Sequence, residues 1–330
     1  MKRPLSIVAV VLATVMSLTA CGGQRSGSGA GSGGNASGCD AGTGRVNIAT
    51  GNSTGVYYVV GGGLAKLIND ETDIQARSAE TGASVQNIQQ LVAGDYDIAF
   101  SLADTAADAA EGKASFKEPQ DISTLGRIYA NYTQVVVRKD SGINSVEDFA
   151  GKTISTGSPQ SGTEVIARRL IEAAGLQQSD VKAQRLDLAK TGAGMKDGSI
   201  DGLVWSGGLP TPELTDLFTS AGDDVKFIDP TPLLPELNKI SDVYEKGVVP
   251  AKTYDLAEDA PSIVVPNLLL VRNDMKENLA CALTTLIYGK ADQLAKVHPA
   301  AKEITLDNAT ETDPVALHPG SERAFKELAK

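Results

Sequence analysis

Glycine and hydroxyl residues gather three times along this chain, in places where they could hold a small anion. Gly51-Asn52-Ser53-Thr54-Gly55 follows an apolar run at 46–50 and leads into a helical pattern. Gly157-Ser158-Pro159-Gln160-Ser161-Gly162-Thr163 follows a second run at 153–156 and leads into another. Thr81-Gly82-Ala83-Ser84 precedes a third. A helix start presents N–H groups with no partner inside the helix, and the positive end of its dipole. Glycine lets a ligand approach the backbone closely, and hydroxyls add donors. Any one of these loops alone reads as a routine capped turn. Together, two of them repeating strand, loop and helix start, they read as an anion site that two lobes close around.

Most other chemistry is excluded. His298 and His318 are the only histidines, which removes His-cluster metal sites and most His-based catalysis. Cys21, Cys39 and Cys281 show no CxxC spacing, so a zinc ribbon or thioredoxin-like site is out. No HExxH occurs. Gly151-Lys152-Thr153 resembles the end of a P-loop, but Val146 stands where that motif needs glycine. No acidic pair has a spacing that means a glycosidase. A hydrolase using Ser161 with a lysine stays open as an alternative. The net charge of -11 argues against nucleic acid, whose binding rests on Lys and Arg neutralising phosphates. The expectation is therefore a binding protein without cofactor or metal, working as a monomer.

With 330 residues, 42% of them hydrophobic and 22% charged, the chain suits one large or two medium domains. Residues 1–20 read as a signal peptide: Lys2 and Arg3, a short apolar stretch, then Leu18-Thr19-Ala20-Cys21-Gly22. That ending resembles the lipobox of bacterial lipoproteins, which implies lipid on Cys21 and a mature chain held at the outer face of a membrane. The alternative is an ordinary secretory peptide. Residues 22–44 are almost all Gly, Ser and small polar residues, a flexible tether with a reach of roughly 25 Å. Cys39 and Cys281 can pair in an oxidising compartment, or stand as two free thiols.

The elements that would position the loops alternate. Strands are expected at 46–50, 97–100, 126–129, 134–138, 153–156, 201–205 and 263–271. Helices are expected at 54–69, after a Ser84 cap, at 163–174, 212–220, 233–246, 275–297 and 319–330. Gly94 and Gly175 close two of them. Such alternation means an α/β fold with a mainly parallel sheet.

Gly51-Asn52-Ser53-Thr54-Gly55-Val56-Tyr57-Tyr58 resembles the Gly-Thr-Tyr-Tyr signature of TAXI-type substrate-binding proteins, the solute receptors of a subgroup of TRAP transporters. Thr81-Gly82-Ala83-Ser84-Val85-Gln86-Asn87 is similar to that family's Thr-Gly-Gly-Ser-Val-Glu-Asn, and Gly157 to Thr163 to its Gly-Ser-Gly-Thr loop. Further agreement lies at 94–104, 142–152, 197–202, 207–210 and 317–321. The resemblance spans about residues 45–330. The sequence departs from it at Tyr129-Ala130-Asn131, where the family has Tyr-Pro-Glu, at Asn52-Ser53, and at Arg323-Ala324-Phe325. It implies a two-lobed, type II periplasmic-binding-protein fold. Lobe I would hold 45–133 and 263–330 and lobe II 134–262, with hinge crossings near Gln134 and Ile263. It also implies a small carboxylate ligand, such as glutamate, glutamine or 2-oxoglutarate, passed to a TRAP permease. An ABC-importer receptor and a surface adhesin are the alternatives among binding proteins. The expected ligand contacts are Gly51, Ser53, Thr54, Tyr57, Ser84, Tyr129, Ser158, Ser161, Gly162, Thr163, Trp205 and Gly208. Asp104 would hold an ammonium group or else be a solvated acid at a helix start. Arg127 or Arg138 would meet a carboxylate or else sit in surface ion pairs.

Overall fold

The computed structural model describes residues 39–330. The segment expected as a signal peptide, Cys21, and the part of the expected tether up to residue 38 lie outside the described residues. In chain order the elements are β1 (Gly44–Ala49), α1 (Val56–Glu71), β2 (Ile74–Ala79), α2 (Ser84–Ala93), β3 (Ile98–Leu102) and α3 (Ala103–Glu111). Next come β4 (Ile122–Arg138), β5 (Thr153–Ser155), α4 (Gly162–Ala173), β6 (Lys182–Gln184), α5 (Leu188–Asp197), β7 (Gly202–Gly207) and α6 (Pro212–Ala221). Then follow β8 (Val225–Phe227), α7 (Leu234–Leu237), β9 (Glu245–Val249), β10 (Ala260–Arg272), α8 (Glu277–Gly289), α9 (Ala291–Val297) and α10 (Pro319–Leu328).

One mixed sheet has the order β2-β1-β3-β10-β4-β7-β5-β6, with β8 beside β4 and β9 beside β10. β2, β1 and β3 are mutually parallel, as are β7, β5 and β6. Between these two groups run β10 and β4, antiparallel to each other, with Ile263 opposite Thr133 and Arg272 opposite Ile122. Strands covered on both faces need continuous apolar runs, and every residue of β3 and β7 is buried. An apolar cluster along one face serves both groups: Val85, Ile88 and Leu91 of α2 and Ala106 of α3 join Val135 and Val137 of β4 and Ile166 and Leu170 of α4. The other face carries two clusters. One lies under α1 and α8 around Phe100 and Tyr129, the other under α5 and α6 around Leu203 and Leu214.

Several elements differ from the sequence expectation. The two strands expected at 126–129 and 134–138 are one 17-residue strand, β4. The polar stretch between them reads as a loop, yet it lies between β10 and β7, where Asn131, Thr133 and Gln134 are all buried. Gly126, at φ +136°, sits where a side chain would meet the Phe325 ring and the Ala309 carbonyl. The helix expected at 233–246 is helical only at Leu234–Leu237. The helical spacing of Leu237, Ile240 and Tyr244 continues in the sequence, but Ile240 is exposed, Tyr244 is buried against Arg169 and Asp104, and 245–249 pairs with β10 as an edge strand. The helix expected at 275–297 breaks into α8 and α9 at Lys290, whose φ of -127° follows the weak helix former Gly289. β2, α3, β6, α5 and β8 are elements that the sequence pattern does not predict; Gly192 and Gly194 weaken the pattern of α5, and Gly192 lies under the Glu213 side chain of α6.

The expected tether is shorter than 22–44. Cys39 is joined to Cys281 of α8 by a disulfide, with Cα atoms 5.1 Å apart, Ala41 packs on the core, and β1 begins at Gly44.

Candidate functional site

Parallel strands end in loops at their carboxyl edge, and the helices that follow begin there. The β2-β1-β3 and β7-β5-β6 groups run antiparallel to each other through β10 and β4, so their carboxyl ends face each other near Asn131 and Tyr132 of β4, and the starts of α1, α2 and α4, which follow β1, β2 and β5, open on that junction. Gly55 to Tyr57, Gly82 to Ser84 and Ser161 to Thr163 line one cavity. Leu102 at the end of β3, Asn131 in mid-β4 and Trp205 to Gly208 at the end of β7 complete the walls, with Gly51 and Asn52 at its edge. The cavity has a volume of about 30 Å³, room for no more than one or two waters. The walls are thus nearly shut on each other, and a ligand of more than a few atoms needs them to part.

The closeness has local causes. A side chain on Gly162 would lie 2.5 Å from Leu102 Cδ1 and 2.6 Å from Ser84 Oγ, so only glycine lets α4 come this near α2. Asn52 clasps the opposite loops: its Oδ1 accepts from Ser158 Oγ at 3.1 Å and from Leu188 N at 3.2 Å. Gln86 N–H donates to the Gln160 carbonyl at 3.0 Å. Ala83 holds φ +80°, a strained backbone for a residue with a side chain, at a position where the resembling family has glycine.

The floor is a buried polar chain across the sheet. Tyr57 OH donates to Asn267 Oδ1. Asn267 Nδ2 donates to Asn131 Oδ1 and to the Tyr129 carbonyl, both at 2.8 Å. Asn131 Nδ2 donates to the Ser206 carbonyl at 3.2 Å, and Ser206 N–H donates to Thr163 Oγ1 at 3.2 Å. Burial pushes the Tyr57 phenol well above its ordinary pKa of 10.0, so it stays a neutral donor. The indole N–H of Trp205 donates to Thr211 Oγ1 at 3.2 Å, which fixes the ring beside Gly55.

Donors remain for a ligand. Neither α1 nor α2 has a side-chain cap, whereas Ser161 Oγ caps α4 by accepting from Glu164 N. Ser84, expected as the cap of α2, is its first residue; its Oγ accepts from Leu102 N at 3.1 Å. Ser206 is 5% exposed and its Oγ has no partner among the described residues. No lining side chain is charged.

Of the residues expected to touch ligand, Gly51, Tyr57, Ser84, Ser161, Gly162, Thr163, Trp205 and Gly208 line this cavity. The others lie elsewhere. Ser53 is exposed, with its N–H on Glu80. Thr54 is half-buried outside the lining. Ser158 is spent on Asn52. Tyr129 is fully buried behind Tyr57, ring centroids 6.5 Å apart, with no partner for its hydroxyl among the described residues.

Asp104 is a correction. It is neither solvated nor open to an ammonium group, because it is fully buried and its oxygens are taken. Arg169 Nη1 donates to its Oδ2 at 3.0 Å, Tyr244 OH donates to the same oxygen at 2.5 Å, and Thr105 N–H donates to Oδ1 at 2.6 Å. Arg169 Nη2 also holds both oxygens of Asp108, at 2.8 and 2.6 Å. Arg127 and Arg138 are ion-paired away from the cavity, with Glu311 and Asp140.

Asn52, Asn131 and Ser206 were not among the expected contacts. Asn131 stands at a departure from the family pattern and Ser206 follows Trp205, but nothing local marks either as facing a cavity. Gly51-Asn52-Ser53-Thr54-Gly55 also has the Gly-x-Ser-x-Gly spacing of a nucleophile elbow between a strand and a helix. Ser53 has no histidine to activate it: His298 bonds Pro210 O and Ala300 N, and His318 caps Gly320 N.

Three solved structures share the fold. A protein from Bordetella bronchiseptica RB50 is 21% identical over 86% of this chain and 88% of its own, with a TM-score of 0.52. PhnD1 from Prochlorococcus marinus (MIT 9301), in complex with methylphosphonate, is 10% identical over 87% and 98%, with a TM-score of 0.54. A binding-protein component of an ABC phosphonate transporter from Pseudomonas aeruginosa is 14% identical over 78% and 79%, with a TM-score of 0.52. The shared architecture is the two-lobed periplasmic-binding-protein fold. Residues 48–328 match the NMT1-like family, and by that match over most of its length the chain belongs to the NMT1-like family.

Proposed function

We propose that this chain is an extracytoplasmic solute receptor, which holds a small organic anion between its two lobes and hands it to a membrane permease without altering it. The observation that carries this is the neutral cavity lined by helix starts from both parallel groups and by Ser206, whose buried hydroxyl has no partner among the described residues. The lobes are taken as 45–133 with 263–330, and 134–262, with β4 and β10 as the hinge strands. Ligand contacts to both sides favour the closed form. Lipid on Cys21 and the tether would keep the receptor near its permease.

An ABC-importer-type permease is the better-supported partner, because a fold neighbour is a component of an ABC phosphonate transporter. The TRAP reading, with glutamate, glutamine or 2-oxoglutarate as ligand, is the second. It is favoured by the motifs at 51–58, 81–87 and 157–163.

The test is a titration of ligand-free protein with carboxylates, amino acids, keto acids, phosphonates, sulfonates and sugars, followed by melting temperature and by Trp205 emission. Trp205 is the only tryptophan and lines the cavity, so occupancy should change its emission together with a saturable rise in Tm. Thr163→Ala should weaken both. Silence from every class in both readouts rejects the receptor reading. Uptake into vesicles bearing the permease separates the partners: dependence on ATP means an importer of the ABC kind, dependence on an ion gradient the TRAP kind.

A further inference from the structure

We infer that the ligand is a monoanion lacking an ammonium group, with its single charge on the helix starts and the Ser206 hydroxyl and its apolar side against Trp205. This rests on the receptor reading above and narrows its ligand class.

The cavity offers donors but no countercharge. Its polar walls are helix starts and the hydroxyls of Ser84, Ser161, Thr163 and Ser206, the Asn52 and Asn131 amides being spent on protein partners, and its apolar walls are Val56, Leu102 and the Trp205 ring. The uncapped starts of α1 and α2 supply partial positive charge. A second, independent pointer is Ser206: its N–H and carbonyl are spent on Thr163 and Asn131, and its Oγ is buried with no partner among the described residues. A buried hydroxyl left this way costs stability unless a ligand completes it.

Oriented dipoles and hydroxyls can take one negative charge out of water. A second would be buried without a cation, at a penalty that a neutral wall does not offset. An ammonium group fares no better, since it would face the positive ends of helix dipoles. The carboxylate behind the wall, Asp104, is spent on Arg169, Tyr244 and Thr105. On these grounds 2-oxoglutarate, with two charges, and glutamate, with an ammonium group, both fit poorly.

The experiment is calorimetric titration of the purified chain at fixed pH with compounds of similar size and different charge. Propionate and ethanesulfonate carry one negative charge, malonate carries two, alanine is a zwitterion and propanamide is neutral. The monoanions should bind at least about a hundredfold more tightly than malonate or alanine, and about tenfold more tightly than propanamide. Ser206→Ala should cost the monoanions about tenfold. Should that variant not fold, the charge series on the unaltered chain decides alone. Malonate, alanine or propanamide binding as tightly as propionate overturns the charge inference and leaves the receptor standing. No binding by these compounds or by any member of the wider panel overturns both.

Discussion

Two polar clusters lie side by side between the parallel groups, and they are built on opposite principles. In the first, Arg169 of α4 reaches Asp104 and Asp108 of α3 and the Tyr244 hydroxyl, and every charged group there has a partner. In the second, on the other side of Leu102, the cavity walls carry no charge, two helices start without a side-chain cap, and the Ser206 hydroxyl has no partner among the described residues. A completed network holds a structure in one arrangement. An incomplete one is tolerated where something else completes it. The first cluster thus reads as adhesive between the halves and the second as the place a ligand enters.

The strongest way to break this contrast is Arg169→Met. It would strand two buried carboxylates, and stability should fall by about 3–5 kcal/mol in urea unfolding. Adding Asp104→Asn and Asp108→Asn should return most of the loss, because what costs is the unpaired charge rather than the missing pair. An Arg169→Met variant as stable as the parent would mean that the cluster is no adhesive.

Ser206→Ala should act in the opposite direction on the empty protein. It removes a buried hydroxyl that has no partner among the described residues, so unfolding in urea should show no loss, or a gain of up to about 1 kcal/mol. A loss above that size would show that the hydroxyl already has a structural partner and is not held for a ligand.

The smallest effect concerns a third junction between the halves. His298 Nε2 bonds the Pro210 carbonyl at 3.0 Å, and His298 and His318 each accept from a backbone N–H through Nδ1. Burial lowers both pKa values from the ordinary 6.5, so the folded chain keeps both rings neutral where the unfolded chain would protonate them. Their contribution is present above about pH 6.5 and is lost as pH falls below it, because the unfolded state then binds more protons. Melting temperature should drop on acidification through that range. Replacing both histidines by asparagine, which can still cap a helix, should flatten the drop.

How far the sequence could be read follows from the range of the forces involved. Helix starts, glycine closures and buried parallel strands depend on residues within a few positions, so α2, α4, β3 and the three donor loops were legible. β4 was not read as one strand because what buries its polar centre, β10 and β7, comes from far along the chain. The helix expected at 233–246 failed for a similar reason: pairing with β10 decides the conformation of 245–249.

The sequence by itself determined that an α/β chain would carry three clusters of neutral donors at helix starts, because glycine, serine and threonine in those places act through their own backbone. Only the tertiary structure decided which groups face the cavity. Asp104 lost its candidacy to Arg169, 65 residues away, and Tyr244, 140 away. Ser206 gained its place when Asn131, 75 residues away, took its carbonyl and Thr163 its N–H. A side chain's partner depends on which strands lie side by side, and the packing of the whole sheet sets that order.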